Sequence, residues 1–381
     1  MIKIKKYLLA VLYSLKYRIS RIKLWLGIKL GFIRSVMIMP YLGFGNDREI
    51  FFPGRVLRDR GIGISQIDDS RWRNFIKMYK RFFTWSIPEV NIKAEFHGAE
   101  HFAKTDEEGY FQFRITVLPH EPFSSPWQEV KLELMDQILR NQNNIIATNQ
   151  VFIPSTNVEY GVISDIDDTI VPTGATRLWE MLKTTFLGNA HSRIPFPGVS
   201  AFYNALALGS AGRANNPFFY ISSSPWNLYD FLMEFMMVHH IPKGPLMLRD
   251  IGLSRENFIS GSHFEHKLTQ VERIFEIVHD IPFILIGDSG QHDAEIYLQV
   301  IKDYPGRVKM IYIRDVAPAK HDKMVNYAEK AFQLGVDMML VNDTLEAARH
   351  AVSKGWIRKV DISDIAEEKT EDEVNQQESL L

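Results

Sequence analysis

Apolar positions at the front of the chain recur at steps of three and four, at Leu8, Leu12, Leu15, Ile19, Ile22, Leu26, Leu30 and Ile33. That spacing stacks them on one face of a helix. Lys3, Lys6, Arg18, Arg21, Lys23 and Lys29 lie off the stripe, so residues 1–39 read as a basic amphipathic segment suited to an anionic lipid surface. A helix docked on the protein's own body and an export signal are the alternatives; no A-x-A cleavage pattern follows the apolar stretch. Pro40 and the Gly43–Gly45 stretch close the segment, and a second basic helix is predicted after Asp69-Ser70, with Trp72, Phe75, Ile76, Tyr79, Phe82 and Phe83 on its apolar side. From Val90 the period becomes two. Val90, Ile92, Ala94 and Phe96, then Phe111, Phe113, Ile115 and Val117, then Val130, Leu132 and Leu134 alternate with polar residues, the mark of half-buried strands. A small antiparallel β-sandwich over residues 40–157 follows from these strands and the turns between them, and its residues offer no chemistry.

After residue 158 the pattern changes again. Val162-Ile163, Phe218 to Ile221, Phe283 to Ile286, Met310 to Ile313 and Met338 to Val341 are continuous apolar runs separated by helical stretches. Parallel strands buried on both faces have this signature, so residues 158–360 are predicted to form a doubly wound α/β domain. The end of the chain, residues 361–381, carries eight Asp/Glu against one Lys and reads as a disordered, solvated acidic tail.

Composition narrows this picture. A chain of 381 residues, 46% hydrophobic and 24% charged, holds two folded domains rather than one. The net charge of −2 provides no basic field for nucleic acid, although it averages a front with no acid before Asp47 and an acidic back. With no cysteine, disulfides, thiolate metal sites and cysteine catalysis are excluded, and any metal is held by oxygen or imidazole.

In doubly wound sheets ligands sit beyond the carboxyl ends of the strands, and those positions are unusually polar here. The first apolar run ends in Ser164-Asp165-Ile166-Asp167-Asp168-Thr169, the second in Ser222-Ser223-Ser224, a third in Gly287-Asp288-Ser289-Gly290-Gln291-His292-Asp293. Asp165, Asp167 and Asp288 facing one small volume would be unstable without a cation. An oxygen-only set calls for a hard divalent ion, Mg²⁺, and phosphate is the natural substrate group. One carboxylate can then attack phosphorus to form an aspartyl-phosphate while another moves protons, with Ser222 and Lys267 holding phosphoryl oxygens. His191 and His292 stay outside the metal shell, because magnesium does not favour imidazole. About fifty residues separate Thr169 from the second run, room for a small lid, whose Trp179, Met181, Leu182, Phe186 and Leu187 form an apolar helix suited to lipid chains or to packing on the sheet.

The ordered set Asp165-x-Asp167-x-Thr169, Ser222, Lys267 and Gly287-Asp288-x-x-x-x-Asp293 resembles the four motifs of the haloacid-dehalogenase superfamily of phosphotransferases. More narrowly, Ser164 to Ile170, Tyr220 to Trp226, Leu248-Arg249-Asp250 and Gly287 to Asp293 resemble the catalytic domain of the actin-patch-associated phosphatidate phosphatases, over about residues 158–355. The resemblance implies a Rossmann-like fold with a small lid, and Mg²⁺-dependent release of phosphate from phosphatidate to leave diacylglycerol. It implies Asp165 as nucleophile, Asp167 as acid/base, Thr169 and Ser222 as phosphate or loop contacts and Lys267 as charge clamp. Asp165, Asp167, Asp288 and Asp293 would make up the metal site. The motif of the second run often has Asn where this chain has Ser223. The expected setting is cytoplasmic, peripheral on a membrane, with a phospholipid substrate and an anionic surface as partners. A soluble phosphatase for a small phosphomonoester and a catalytically inactive membrane-associated binding protein are the competing readings.

Overall fold

The computed structural model describes residues 19–61, 85–118, 123–155, 157–170, 195–249 and 263–379. The second basic helix, the apolar lid helix, His191 and Asp250 lie outside the described residues, as does the front of the basic stripe. The chain divides into two compact units, whose described residues fall within 19–153 and 154–379.

The first unit is built on one eight-stranded sheet. Its strands are β1 (Val36–Pro40), β2 (Gly43–Gly45), β3 (Glu49–Arg58), β4 (Asn91–Phe96), β5 (Ala99–Lys104), β6 (Tyr110–Thr116), β7 (Trp127–Leu134) and β8 (Ile146–Phe152). They run β1-β3-β2-β8-β7-β4-β5, with β6 also on β3; among the described residues, only the β2/β8 pair is parallel. The β4–β5 hairpin closes through His97 and Gly98, both with positive φ (47° and 79°), as a two-residue turn that follows strand twist requires. Inward residues of β3, β4, β6 and β7, among them Phe52, Phe113, Ile92 and Leu132, make one apolar core. Residues 19–29 are helical, and Leu24 and Ile28 pack against that core, followed by fully buried Ile33. The first three strands gave no alternating signal. Seven of the ten positions of β3 are buried, so both faces are apolar and the period of two disappears.

The second unit carries six parallel strands: β9 (Gly161–Asp165), β10 (Phe218–Pro225), β11 (Leu246–Arg249), β12 (Phe283–Asp288), β13 (Val308–Arg314) and β14 (Met338–Val341). Their order is β11-β10-β9-β12-β13-β14, and every pairing is parallel. The first strand therefore lies in the middle, and the direction of winding reverses between β9 and β12. A crevice opens at such a switch point, beyond the strand ends. The helices of its described residues are α1 (Val199–Leu208), α2 (Tyr229–Val238), α3 (His263–Ile277), α4 (Asp293–Asp303), α5 (His321–Gln333), α6 (Thr344–Ser353) and α7 (Asp361–Ser379). At the opposite edge from the strand ends, Gly161 passes Phe283 so closely that a Cβ would lie 2.4 Å from its ring. Among the described residues, no helix is long and apolar enough to cross a membrane.

The acidic end of the chain is not a solvated tail. Residues 361–379 form α7, with Asp361 and Ile365 buried. Its acids find specific partners. Asp372 accepts a hydrogen bond from the Gly198 N–H (3.0 Å) and Glu368 from the Ala201 N–H (2.9 Å), which satisfies two of the orphan donors at the start of α1. Lys369 reaches back to Asp343 at 2.8 Å. Two carboxylates of the acidic run thus meet a helix N-terminus that only the fold brings to them, and its N–H groups oppose the burial that raises both.

Candidate active site

β9 delivers Asp165 at its last position, and the chain then turns through Ile166 to Ile170. Asp168 takes a φ of +60°, and the Ile170 N–H closes the turn on the Ile166 carbonyl at 2.9 Å. Asp167 thereby returns beside the end of β10. On that strand Ser222 and Ser224 are two residues apart and so face the same way. Ser222 Oγ donates to Asp167 Oδ2 at 2.6 Å, and Ser224 Oγ lies 3.3 Å from both oxygens of the same carboxylate.

Lys267, from α3, reaches the other side of the loop. Its Nζ lies 2.6 Å from Asp165 Oδ1 and 2.6 Å from Asp293 Oδ1, and all three side chains are buried. Asp293 opens α4, and its second oxygen accepts from the Asp288 N–H at 3.1 Å. Gly287 makes this approach possible: a Cβ there would stand 2.6 Å from the Asp293 Cβ and 2.7 Å from its Oδ2. Asp288 Oδ1 accepts from the N–H groups of Gly290 (2.6 Å) and Gln291 (2.9 Å), while its Oδ2 is buried with no hydrogen-bond partner among the described residues.

Asp165, Asp288 and Asp293 each offer an oxygen within 4.8 Å of the others. One ammonium does not neutralise three such carboxylates. Burial, reinforced by Asp293, pushes the Asp165 carboxyl well above its ordinary value, and the same two causes push Asp288 up to about 8. Asp167 is also raised by burial, against the opposing pull of its serine bonds. Burial alone would lower the Lys267 ammonium, but Asp165 and Asp293 outweigh it and hold the charge firmly. The geometry is thus a buried acidic cluster with an orphaned oxygen, which fits a hard cation bound by oxygen; its second carboxylate site, at Asp167, is raised by burial and kept in place by hydroxyls.

The six principal residues singled out from the sequence, Asp165, Asp167, Ser222, Lys267, Asp288 and Asp293, come together here from five elements and the loop after β9. Two side chains make contacts that the expected roles did not include. Asp167, expected among the metal ligands and as acid/base, has its carboxylate on Ser222 and Ser224, and the three-carboxylate group is Asp165, Asp288 and Asp293. Ser222, expected as a phosphate or loop contact, donates to Asp167. Thr169 Oγ1 stands 3.4 Å from Asp165 Oδ2, beside the loop it was expected to support. His292 is exposed and pairs with Glu295 at 3.2 Å, outside the cluster. Two contributors carried no role in the sequence reading. Ser224 was detectable from its two-residue offset from Ser222. Gln291, whose Nε2 donates to the Asp167 carbonyl (3.0 Å) and whose Oε1 lies 3.4 Å from Lys267 Nζ, stands inside the polar Gly287 to Asp293 stretch, where its position was the signal.

Residues 160–315 match the catalytic domain of phosphatidate phosphatase APP1. All six residues lie within that span. The Saccharomyces cerevisiae protein of that name is 30% identical over 222 residues, covering 55% of this chain and 36% of its own length. An uncharacterized protein of Schizosaccharomyces pombe is 26% identical over 234 residues, 60% of this chain and 36% of its own. The chain therefore spans about a third of the length of these curated relatives. Among solved structures, a putative α-galactosidase from Bacteroides fragilis aligns over 81% of this chain and 52% of its own at 7% identity, with a TM-score of 0.21, too slight a likeness to bear on fold or function.

Proposed function

We propose that the chain is a Mg²⁺-dependent phosphatidate phosphatase, hydrolysing phosphatidate to diacylglycerol and phosphate, with its parallel-sheet unit a Rossmann-like haloacid-dehalogenase domain and its first unit sandwich-like. The reading is carried by one observation: Asp288, whose buried Oδ2 lacks a hydrogen-bond partner among the described residues, clusters with Asp165 and Asp293 at the strand ends, inside the span that matches a phosphatidate phosphatase catalytic domain. Asp165, Asp288 and Asp293 would hold the metal, which when bound supplies charge neutralisation for an anionic phosphoryl group.

The chain's own groups then divide the work. Asp165 attacks phosphorus and forms an acyl-phosphate bond as the bond from phosphorus to the glycerol oxygen breaks. Asp167, raised by burial, carries the proton that this oxygen needs; ionised, it next takes a proton from water, which attacks the aspartyl-phosphate and frees Asp165. Ser222 and Ser224 keep the Asp167 carboxyl directed at that position. Lys267 offsets the charge that builds on the phosphoryl oxygens and keeps Asp165 aligned. A lipid substrate requires the enzyme to work at a surface, so it sits peripherally on a membrane; a cytoplasmic setting is part of the same proposal.

The test is phosphate release from phosphatidate in mixed micelles against a panel of soluble phosphomonoesters, each with Mg²⁺ and with chelator. Phosphatidate should be the better substrate and chelator should stop turnover. Faster release from a soluble ester would replace the lipid by a small metabolite, and full activity in excess chelator would remove the metal.

A further inference from the structure

The helix at residues 19–29 and the turn after it have two apolar sides. One is occupied: Leu24 and Ile28 pack on the core of the first unit together with Trp85, and buried Gly27 sits so close that a Cβ would lie 2.5 Å from the Trp85 ring. The other is bare. Ile19, Ile22, Trp25, Leu26, Leu30 and Phe32 are each between 40% and 62% exposed, a concentration of large apolar side chains that no other described segment of this length matches. Ile19, Ile22, Leu26 and Leu30 follow the three-and-four spacing of a single stripe, and docking on the protein's own body does not use it.

Charge says what covers this stripe. At 100° per residue Lys23 and Lys29 flank it on either side. Each is tethered over an indole, Lys23 Nζ 5.2 Å from the Trp85 ring centre and Lys29 Nζ 4.7 Å from that of Trp25, which orders the stems along the apolar surface. No Asp or Glu occurs before Asp47, so the face is apolar in the middle and cationic at the rim. A second copy of this chain would bring like charges together. An anionic bilayer satisfies both parts, burying the stripe among acyl chains and leaving the ammonium groups at the phosphates.

We propose that the exposed stripe Ile19-Ile22-Leu26-Leu30, with Trp25, Lys23 and Lys29, is the surface by which the protein sits on anionic lipid. This deepens the peripheral-membrane part of the proposed function and rests on it for the class of surface, while its test needs no turnover. Full-length protein is floated with phosphatidylcholine vesicles and with vesicles of phosphatidylcholine and phosphatidylserine, at low and high salt. Binding should require the acidic lipid and fall with salt, as about five-fold per basic residue near the surface implies. The double variant Leu26→Glu, Leu30→Glu should lose roughly ten-fold or more of the bound fraction. Its thermal midpoint should match that of the parent, because both positions are exposed. Equal flotation of parent and variant overturns the assignment, as does binding indifferent to acidic lipid. A doubled mass in light scattering, lost in the variant and unaccompanied by flotation, would assign the face to a second copy instead. Protein that floats yet releases no phosphate from phosphatidate keeps this surface and removes the catalytic reading.

Discussion

Asp288→Asn should make the metal-free protein more stable and the enzyme inactive. Burial and Asp293 push the Asp288 carboxyl from its ordinary value of 3.8 up to about 8. Across that gap of roughly four pH units the folded state is penalised, relative to a neutral side chain, on the order of 5 kcal/mol. Because the folded value is the higher one, the folded protein binds an extra proton inside this window. Stability is therefore complete below about pH 4 and is lost progressively as the pH rises to about 8. Asparagine removes the charge and keeps the Oδ1 acceptor used by the Gly290 and Gln291 N–H groups. Its new Nδ2 donor takes the place of the orphaned Oδ2, in a side chain that clusters with the Asp165 and Asp293 carboxylates. Imperfect geometry gives back about half, leaving a gain of about 2–3 kcal/mol at pH 8, or roughly 5–10 °C in the unfolding midpoint of a unit this size. The assay is thermal unfolding in chelator at pH 5 and pH 8, repeated with Mg²⁺. The variant should gain on the parent chiefly at pH 8, and Mg²⁺ should raise the parent alone. A variant less stable than the parent at pH 8 in chelator, or a difference independent of pH, would refute the view that the cluster is held together against its own repulsion.

Three further outcomes follow from the same geometry. Asp165→Asn should abolish phosphate release with the fold intact; appreciable turnover by cleanly purified variant, with unchanged circular dichroism, would take the nucleophile role from Asp165. Gly287→Ala, which drives a methyl into Asp293, should cost about 1–3 kcal/mol in urea unfolding and most of the activity; wild-type behaviour in both would show that the loop yields freely. Glu368→Ala with Asp372→Ala, which uncaps α1, should lower stability by about 1–2 kcal/mol, and an unchanged urea midpoint would mean that α7 contributes nothing through those bonds.

What could be read directly from the chain was whatever depends on near neighbours. Continuous apolar runs ending in Asp165, Ser222 and Asp288 announce buried parallel strands with polar ends, since burial on both faces erases alternation and the loop after each strand alone meets ligand. The three-and-four spacing of Ile19 to Leu30 likewise followed from helix geometry, but not which side of that helix was covered. Pairings across the sequence belonged to the tertiary structure. Lys267 meets Asp165 across 102 residues, and Gln291 reaches the Asp167 carbonyl across 124. Asp167 and Asp165 are two residues apart in the chain, yet their carboxylates meet different partners, the serines of β10 for one and Lys267 for the other. The acids of Asp361 to Ser379 have little to pack in isolation and so look unfolded, until the bare N–H groups of Gly198 and Ala201 are set in front of them. A side chain's type and its local period are properties of the chain, whereas its charge state and partner are set by the field of residues far away in sequence, and those exist only once the sheet has closed on its order.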